Sequence, residues 1–190
     1  METTYSQCCI KTIAKNIGVI ARTAYILPTD IRIKLYYSLV YPYLSYCNMV
    51  WASTYATRLH RLIILQKRAV RLVAGAPYCS HTSQIFSTLK ILRVEQIATF
   101  QIGEFMYRFS RNLLPPIYKN YFELSSEVHS YFTRNSTLYR RIYARTNTHL
   151  FSIKSVGVVT WEKIPIEIRL SSSIWVFKNK FRTYLIEGTV

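Results

Sequence analysis

The stretch TRLHRLIILQKRAVRLVAGAP, residues 57–77, decides how the surrounding chain folds. At about 100° per residue, its apolar side chains gather on one side of a helix and its cations on the other half. The apolar residues are Leu59, Leu62, Ile63, Ala69, Val70 and Val73. The cations are Arg58, Arg61, Lys67, Arg68 and Arg71. Gly75 in the C′ position, with Pro77 beyond it, predicts that the helix ends at Ala74.

The cationic side of this helix allows two interpretations. In the first, it belongs to an ordinary surface helix whose charged residues are solvated. In the second, the cations contact phosphates, while Ile64, Leu65 and Leu72, which lie among them, touch a second surface. The pattern fits both interpretations equally well.

On the N-terminal side, two further helices are predicted. Residues 10–26 carry an apolar stripe with i, i+3, i+4, i+7 spacing. A second helix follows, with Pro28 near its first turn and Thr29 or Asp30 as its cap. It should end or kink near Pro42, because proline cannot continue the backbone hydrogen bonding.

On the C-terminal side, the pattern is helical, then irregular, then helical again. Residues 93–111 follow helical spacing closely, whereas 119–150 have weak periodicity. Strands are possible at 149–153 and 156–160, and a helix capped by Ser172 or Ser173 closes the chain.

This change of character, near 116–128, predicts two domains. The first is a helical bundle, 1–118, and the second is a basic C-terminal region, 119–190, expected to be a small, less regular α+β tail ending in an amphipathic helix. The fold class predicted for the whole chain is therefore mainly α.

The charge predicts a polyanionic partner. The chain has 190 residues, 25 Lys and Arg, 9 Asp and Glu, and a formal net charge of +16. No acid occurs between Asp30 and Glu95, or between Glu127 and Glu162. The second gap contains another candidate group of cations, Arg134, Arg140, Arg141 and Arg145. Nucleic acid, an anionic membrane surface or an acidic protein would complement such a charge.

The acidic residues exclude several kinds of chemistry. Asp30 is the only aspartate, whereas metal-dependent phosphoryl transfer normally needs at least two carboxylates. Cys79 and His81 form the only close Cys/His pair and lack a second pair at zinc-like spacing. The five glycines are scattered, so there is no phosphate-binding glycine loop. We therefore expect no catalytic residues, no metal site and no cofactor.

Membrane and targeting signals are weak. Residues 35–57 are uncharged and long enough to cross a bilayer. However, they contain six tyrosines and are split by Pro42, which favours a buried helix, a break and a second apolar segment. The N-terminus lacks the basic start and apolar run of a secretory signal, so we expect an intracellular protein, nuclear or cytoplasmic.

Several strings of residues, in the same order along nearly the whole chain, resemble one family. They are Lys15–Ile20, Leu27-Pro28, Leu35–Cys47, Val50-Trp51, Leu65–Arg71, Gly75, His81-Thr82, Leu89–Leu92, Phe105–Tyr107, Asn112–Pro115, Thr133-Arg134, Arg145–Asn147, Phe151–Ile153, Trp161, Pro165, Phe177-Lys178 and Tyr184-Leu185. This order resembles the region downstream of the palm in the reverse transcriptases of non-LTR (LINE-type) retrotransposons, the jockey- and CR1-like groups being most similar.

The resemblance has two departures. The family's Gly-Pro-x-x-Trp-Asn pattern corresponds here to residues 157–162, GVVTWE. The aromatic-x-Asp-Asp motif of the palm has no counterpart, since the chain contains no Asp-Asp pair.

The resemblance implies a thumb followed by the C-terminal tail of an RNA-directed DNA polymerase, without its palm. Any Mg²⁺ would belong to that palm, so the chain alone would not be an enzyme. The implied partner is RNA or an RNA/DNA template–primer, gripped through its backbone without sequence readout, with no membrane and no small-molecule substrate. Two alternatives remain: a non-functional decayed open reading frame with exposed apolar surface, and a membrane-associated protein that uses residues 35–57.

Overall fold

The computed structural model describes residues 2–125 and 138–188. The fold is mainly α, which confirms the predicted class. The helices are α1 (Glu2–Thr23), α2 (Thr29–Leu39), α3 (Tyr41–Ser45), α4 (Asn48–Trp51), α5 (Ala56–Ala74), α6 (Thr82–Thr88), α7 (Val94–Ser110), a 3₁₀ turn (Pro116–Tyr118), α8 (Asn147–Leu150), α9 (Ile153–Lys163), α10 (Ile166–Arg169) and α11 (Ile174–Glu187).

Contacts divide the chain into two compact units. The first contains residues 1–98 and 185–190, and the second contains residues 99–184. The division falls within α7, whereas the composition predicted a boundary at 118/119. The reason is that the second half of α7 is apolar on the side that packs with the helices that follow it.

The core of the first unit forms where α1 and α2 pack against α5. Ile13, Ile17 and Ile20 are buried on α1 at spacings of four and three residues, which confirms the predicted stripe. These β-branched side chains remove a continuous apolar strip from water and anchor α1 to its neighbours.

The end of α5 matches the prediction. Gly75 has a φ of +68°, the left-handed conformation that suits glycine after a helix. The guanidinium of Arg32 donates to the carbonyl oxygen of Leu72 at 2.9 Å and to Thr29 Oγ1 at 3.0 Å. This carbonyl oxygen also accepts from the Gly75 N–H at 3.2 Å, so a cation from α2 adds a second hydrogen bond, and a favourable charge, at the last turn of α5.

The predicted cap of α2 is wrong. Pro28 occupies the N-cap position, with φ −65° and ψ 159°, and no side chain caps the helix. Thr29 and Asp30 already lie inside the first turn. Proline has the required φ and lacks an N–H that would need a partner, so the helix begins one residue earlier than a Thr29 cap would allow and two residues earlier than an Asp30 cap would allow.

The uncharged residues 35–57 form short helices separated by breaks. Tyr36, Val40, Leu44 and Asn48 are buried at four-residue intervals, so one side of α2, α3 and α4 faces the core. Cys47, with a φ of +48°, interrupts the backbone before α4. Of the helices in the described ranges, none has both the length and the apolar character needed to span a bilayer.

The second unit is centred on α7, α9 and α11. Gly103 lies against the ring of Phe181, where a Cβ would come within 2.4 Å of Cε1. The ring of Tyr107 stacks on Phe177 with centroids 4.5 Å apart, and its hydroxyl donates to the carbonyl oxygen of Ser171 at 2.7 Å. Close backbone approach and satisfied polar groups thus hold this core together.

The two strands predicted at 149–153 and 156–160 are wrong, because these residues belong to α8, to the turn at 151–152 and to α9. Gly157, Val158 and Trp161 are buried along one side of α9, which is helical spacing. The β-branched run favours strands only weakly, and burial against Met106 and Phe122 overrides it. The described part of the tail contains a single isolated β-bridge, Leu124 to Tyr139.

Candidate nucleic-acid interface

One side of α5 belongs to the core of the first unit. Its buried residues are Leu59, Leu62, Gln66, Ala69, Val70 and Val73. Five of these were predicted from the apolar pattern, whereas Ile63, the sixth predicted residue, is only half-buried. Gln66 was missed because its side chain is polar. The buried side fixes the rotation of α5 about its axis, and so determines which residues face solvent.

The opposite side carries the predicted cations. Arg58, Arg61, Lys67 and Arg68 are exposed, and Arg71 is half-buried. At about 100° per residue, Arg61, Lys67, Arg68 and Arg71 fall within an arc of about 120°, and Arg58 lies about 60° beyond it. We call these five residues the α5 cationic face. None of them points into the core.

The electrostatics of the α5 cationic face follow from the composition of the helix. α5 contains no Asp or Glu, so no acid on α5 itself can neutralise these cations at i+3 or i+4 spacing. Ile64 lies among them with 49% of its surface exposed. The face thus combines several positive charges with one apolar contact point.

Arg71 connects the face to the turn that follows α5. Its Nε donates to the carbonyl oxygen of Ser80 at 2.9 Å, and its guanidinium carbon lies 5.8 Å from the centroid of the Tyr78 ring. The sequence pattern does not predict a role for Tyr78. An aromatic residue next to the proline that follows a basic helix was the only signal for it.

Not every cation of the acid-free stretch 31–94 is available to a partner. Arg32 is bound to the end of α5, as described above, and the guanidinium of Arg93 lies over the ring of Phe86 at 5.6 Å. Arg32 and Arg93 therefore stabilise the fold, and the half-buried Arg71 does so in part, because each finds an acceptor or an aromatic ring inside the chain.

The second predicted group of cations is placed differently. Arg140 forms an ion pair with Glu123 at 3.5 Å, and Arg141 forms a bidentate pair with Glu162, with Nε 3.0 and 3.1 Å from the two carboxylate oxygens. Hydrogen bonding to Glu162, together with its charge, raises the pKa of Arg141. Arg145 is exposed, and Arg134 lies outside the described residues.

These ion pairs could not be read from the sequence. Residues 128–161 contain no acid, but Glu123 and Glu162, just outside that stretch, fold back onto it. The α5 cationic face is therefore the better candidate site, because its helix contains no acid and several exposed cations on one side of a helix attract a polyanion.

Two further observations concern metal ligands and similarity to known proteins. Within residues 2–125 and 138–188, no three His, Cys, Asp or Glu side chains come together as a group that could hold a metal ion. Comparison with family models, with characterised proteins and with solved structures finds nothing that matches this chain.

Proposed function

We propose that this chain binds the sugar–phosphate backbone of RNA or of an RNA/DNA template–primer through the α5 cationic face, with little dependence on sequence. The observation that carries this proposal is a single helix with a buried apolar side, an exposed side bearing Arg58, Arg61, Lys67 and Arg68, and no acid. Lys and Arg on a helix surface form phosphate contacts, and such contacts position a nucleic acid without reading its bases.

We further propose that the chain is the thumb and tail of a non-LTR retrotransposon reverse transcriptase. This rests on the ordered strings described above, with which a helical, basic chain is consistent. In this proposal the chain has no catalytic residue of its own, and the palm would supply the carboxylates and Mg²⁺. An intracellular location, nuclear or cytoplasmic, follows from such a partner. The free thiols of Cys9, Cys47 and Cys79 agree with it, because intracellular proteins rarely form disulfides.

A salt titration tests the binding function. The affinity for a fluorescein-labelled RNA hairpin of mixed sequence would be measured by anisotropy across a series of KCl concentrations. Each phosphate contact contributes a slope of about −0.7 to −0.9 to the dependence of log K on log salt. The double charge reversal Arg61→Glu/Arg68→Glu should lower the affinity at least about 10-fold and reduce the slope by about 1 to 2.

Lys11→Glu/Lys15→Glu is the matched control. Lys11 and Lys15 are exposed on α1, and this variant changes the net charge by the same amount as the α5 variant. It should lower the affinity only through the general field of the protein, by no more than about 3-fold. Equal losses in both variants would show that bulk charge, and not the α5 cationic face, binds RNA. Absence of binding at low salt would reject the function altogether.

The family proposal has a separate test in the genomic DNA upstream of Met1. An in-frame reading frame that encodes a palm with an aromatic-x-Asp-Asp motif would support it. A clean upstream sequence with no remnant of such a palm in any frame would contradict it.

A further inference from the structure

The turn after α5 places an exposed aromatic ring beside the α5 cationic face. Tyr78 has 77% of its surface exposed, although it belongs to a residue type that usually buries much of its ring. The turn is closed by a hydrogen bond from the Ser80 N–H to the Pro77 carbonyl oxygen at 3.1 Å. Arg71 Nε then ties Ser80 to the helix at 2.9 Å. The far end of the turn is thus tied back to α5.

Arg71 also restrains the ring itself. Its guanidinium carbon lies 5.8 Å from the ring centroid, within the range of a cation–π contact. The ring therefore has one side near a cation and much of its surface open to solvent. Fixing the ring before a ligand arrives lowers the entropy that binding must offset.

We propose that Tyr78 is a stacking platform for an unpaired base, and that the nucleic acid preferred by the α5 cationic face is single-stranded. This inference rests on the proposed function and narrows its two substrates to one, RNA in single-stranded form, over the template–primer duplex. An exposed aromatic ring beside a row of cations is the arrangement with which proteins bind single strands, because phosphates contact the cations while bases stack on the ring. In a duplex the bases are already stacked on each other and cannot reach Tyr78.

Ile64 supports the same geometry. It lies seven residues before Arg71, so the two are about 10 Å apart along the same stripe of α5. With 49% of its surface exposed, it offers an apolar contact to a sugar or base between the flanking cations. A strand that follows the stripe toward the C-terminal end of α5 would meet Arg68, then Arg71, then the ring of Tyr78.

The experiment compares one single strand with one duplex. The probes are a single-stranded RNA of adenosines with one central 2-aminopurine, and an RNA hairpin stem of matched length. Tyr78→Ala should weaken binding of the single strand about 5- to 100-fold, the value of one base–aromatic stack, and should abolish the quenching of 2-aminopurine. Binding of the hairpin should change less than about 3-fold, because its phosphate contacts are unaffected.

Two variants control the result. Tyr78→Phe keeps the ring and should bind the single strand like the original protein. Tyr25→Ala removes an equally exposed tyrosine, 83% exposed in the turn after α1, and should leave both affinities unchanged. Far-UV circular dichroism verifies that each variant is folded.

Three outcomes would overturn the inference: an equal loss of both probes in Tyr78→Ala, the same loss in Tyr78→Phe, or no loss in Tyr78→Ala. In each case Arg61→Glu/Arg68→Glu distinguishes the two proposals. If that variant loses affinity for both probes while Tyr78→Ala loses none, only the stacking platform is rejected. If that variant binds both probes normally, the proposed function is rejected as well.

Discussion

Replacing Gln66 with Leu should lower the free energy of unfolding of the first unit more than the same substitution at an exposed glutamine. Gln66 lies on the buried side of α5 with 1% of its surface exposed. Its Nε2 donates to the Tyr36 hydroxyl at 3.0 Å and to the Leu92 carbonyl oxygen at 2.8 Å. Its Oε1 accepts from the backbone N–H of Val94 at 2.9 Å. One amide thus joins α2, α5 and the start of α7.

The magnitude follows from the partners that Gln66→Leu leaves behind. Three buried groups lose their partner, and each unsatisfied buried group costs about 1–3 kcal/mol. Burial of the Leu side chain offsets part of this loss, so we expect the free energy of unfolding to fall by about 3–5 kcal/mol. That is a large part of the about 5–15 kcal/mol that stabilises a typical domain.

Urea unfolding followed by far-UV circular dichroism measures this loss as a lower midpoint at similar m-value. Gln84→Leu is the matched control, because Gln84 is exposed on α6 and should change stability by less than about 0.5 kcal/mol. Tyr36→Phe removes one of the three hydrogen bonds and should cost about 1 kcal/mol. A loss in Gln66→Leu no greater than that in Tyr36→Phe would refute the reasoning, since the abandoned groups would then have found other partners.

Two further predictions concern the same cores. Burial raises the pKa of Tyr36 above its ordinary value of about 10. Its contribution to stability is therefore fully present below pH about 10 and is lost as the pH rises above that value. Tyr36→Phe should flatten the alkaline part of the stability–pH curve measured by urea unfolding, and an unchanged curve would contradict this. Alanine at two helical glycines should change the free energy of unfolding in opposite directions. Gly103→Ala should lower it by about 1–3 kcal/mol, because the new Cβ would come within 2.4 Å of the buried Phe181 ring. Gly18→Ala in α1 meets nothing within 4 Å and should raise it by about 0.5–1 kcal/mol. Thermal unfolding of both variants checks this pair, and equal signs would contradict it.

The helix that organises the first unit could be predicted because its signals are local. The cations and apolar residues of α5 alternate with a helical period, and Gly75 marks its end, so the predicted and observed bounds differ by one residue at the N-terminal end. The start of α2 depends on the choice among Pro28, Thr29 and Asp30, each acceptable near a helix N-terminus, and the sequence pattern favoured the wrong residue.

Features that depend on distant residues could not be predicted in this way. The run from Val156 to Thr160 has a composition that suits a strand, and only its packing against Met106 and Phe122 makes it helical. Likewise, the ion pair of Arg141 with Glu162 joins residues 21 positions apart. The hydrogen bonds of Gln66 could not be predicted for the same reason, since its partners come from two distant segments, α2 and residues 92–94.

One side of α5 is buried in the core of the first unit and the other carries the α5 cationic face. The two sides would therefore behave differently in a mutational screen. Under the proposed function, substitutions on either side would reduce the RNA signal, but by different routes. Damage on the Gln66 side removes binding-competent molecules, so a titration end point falls while the remaining protein keeps its original Kd. Damage on the Arg61 side leaves every molecule competent and shifts the Kd itself. Recording active fraction together with Kd sorts the two classes of variants without a structure of each.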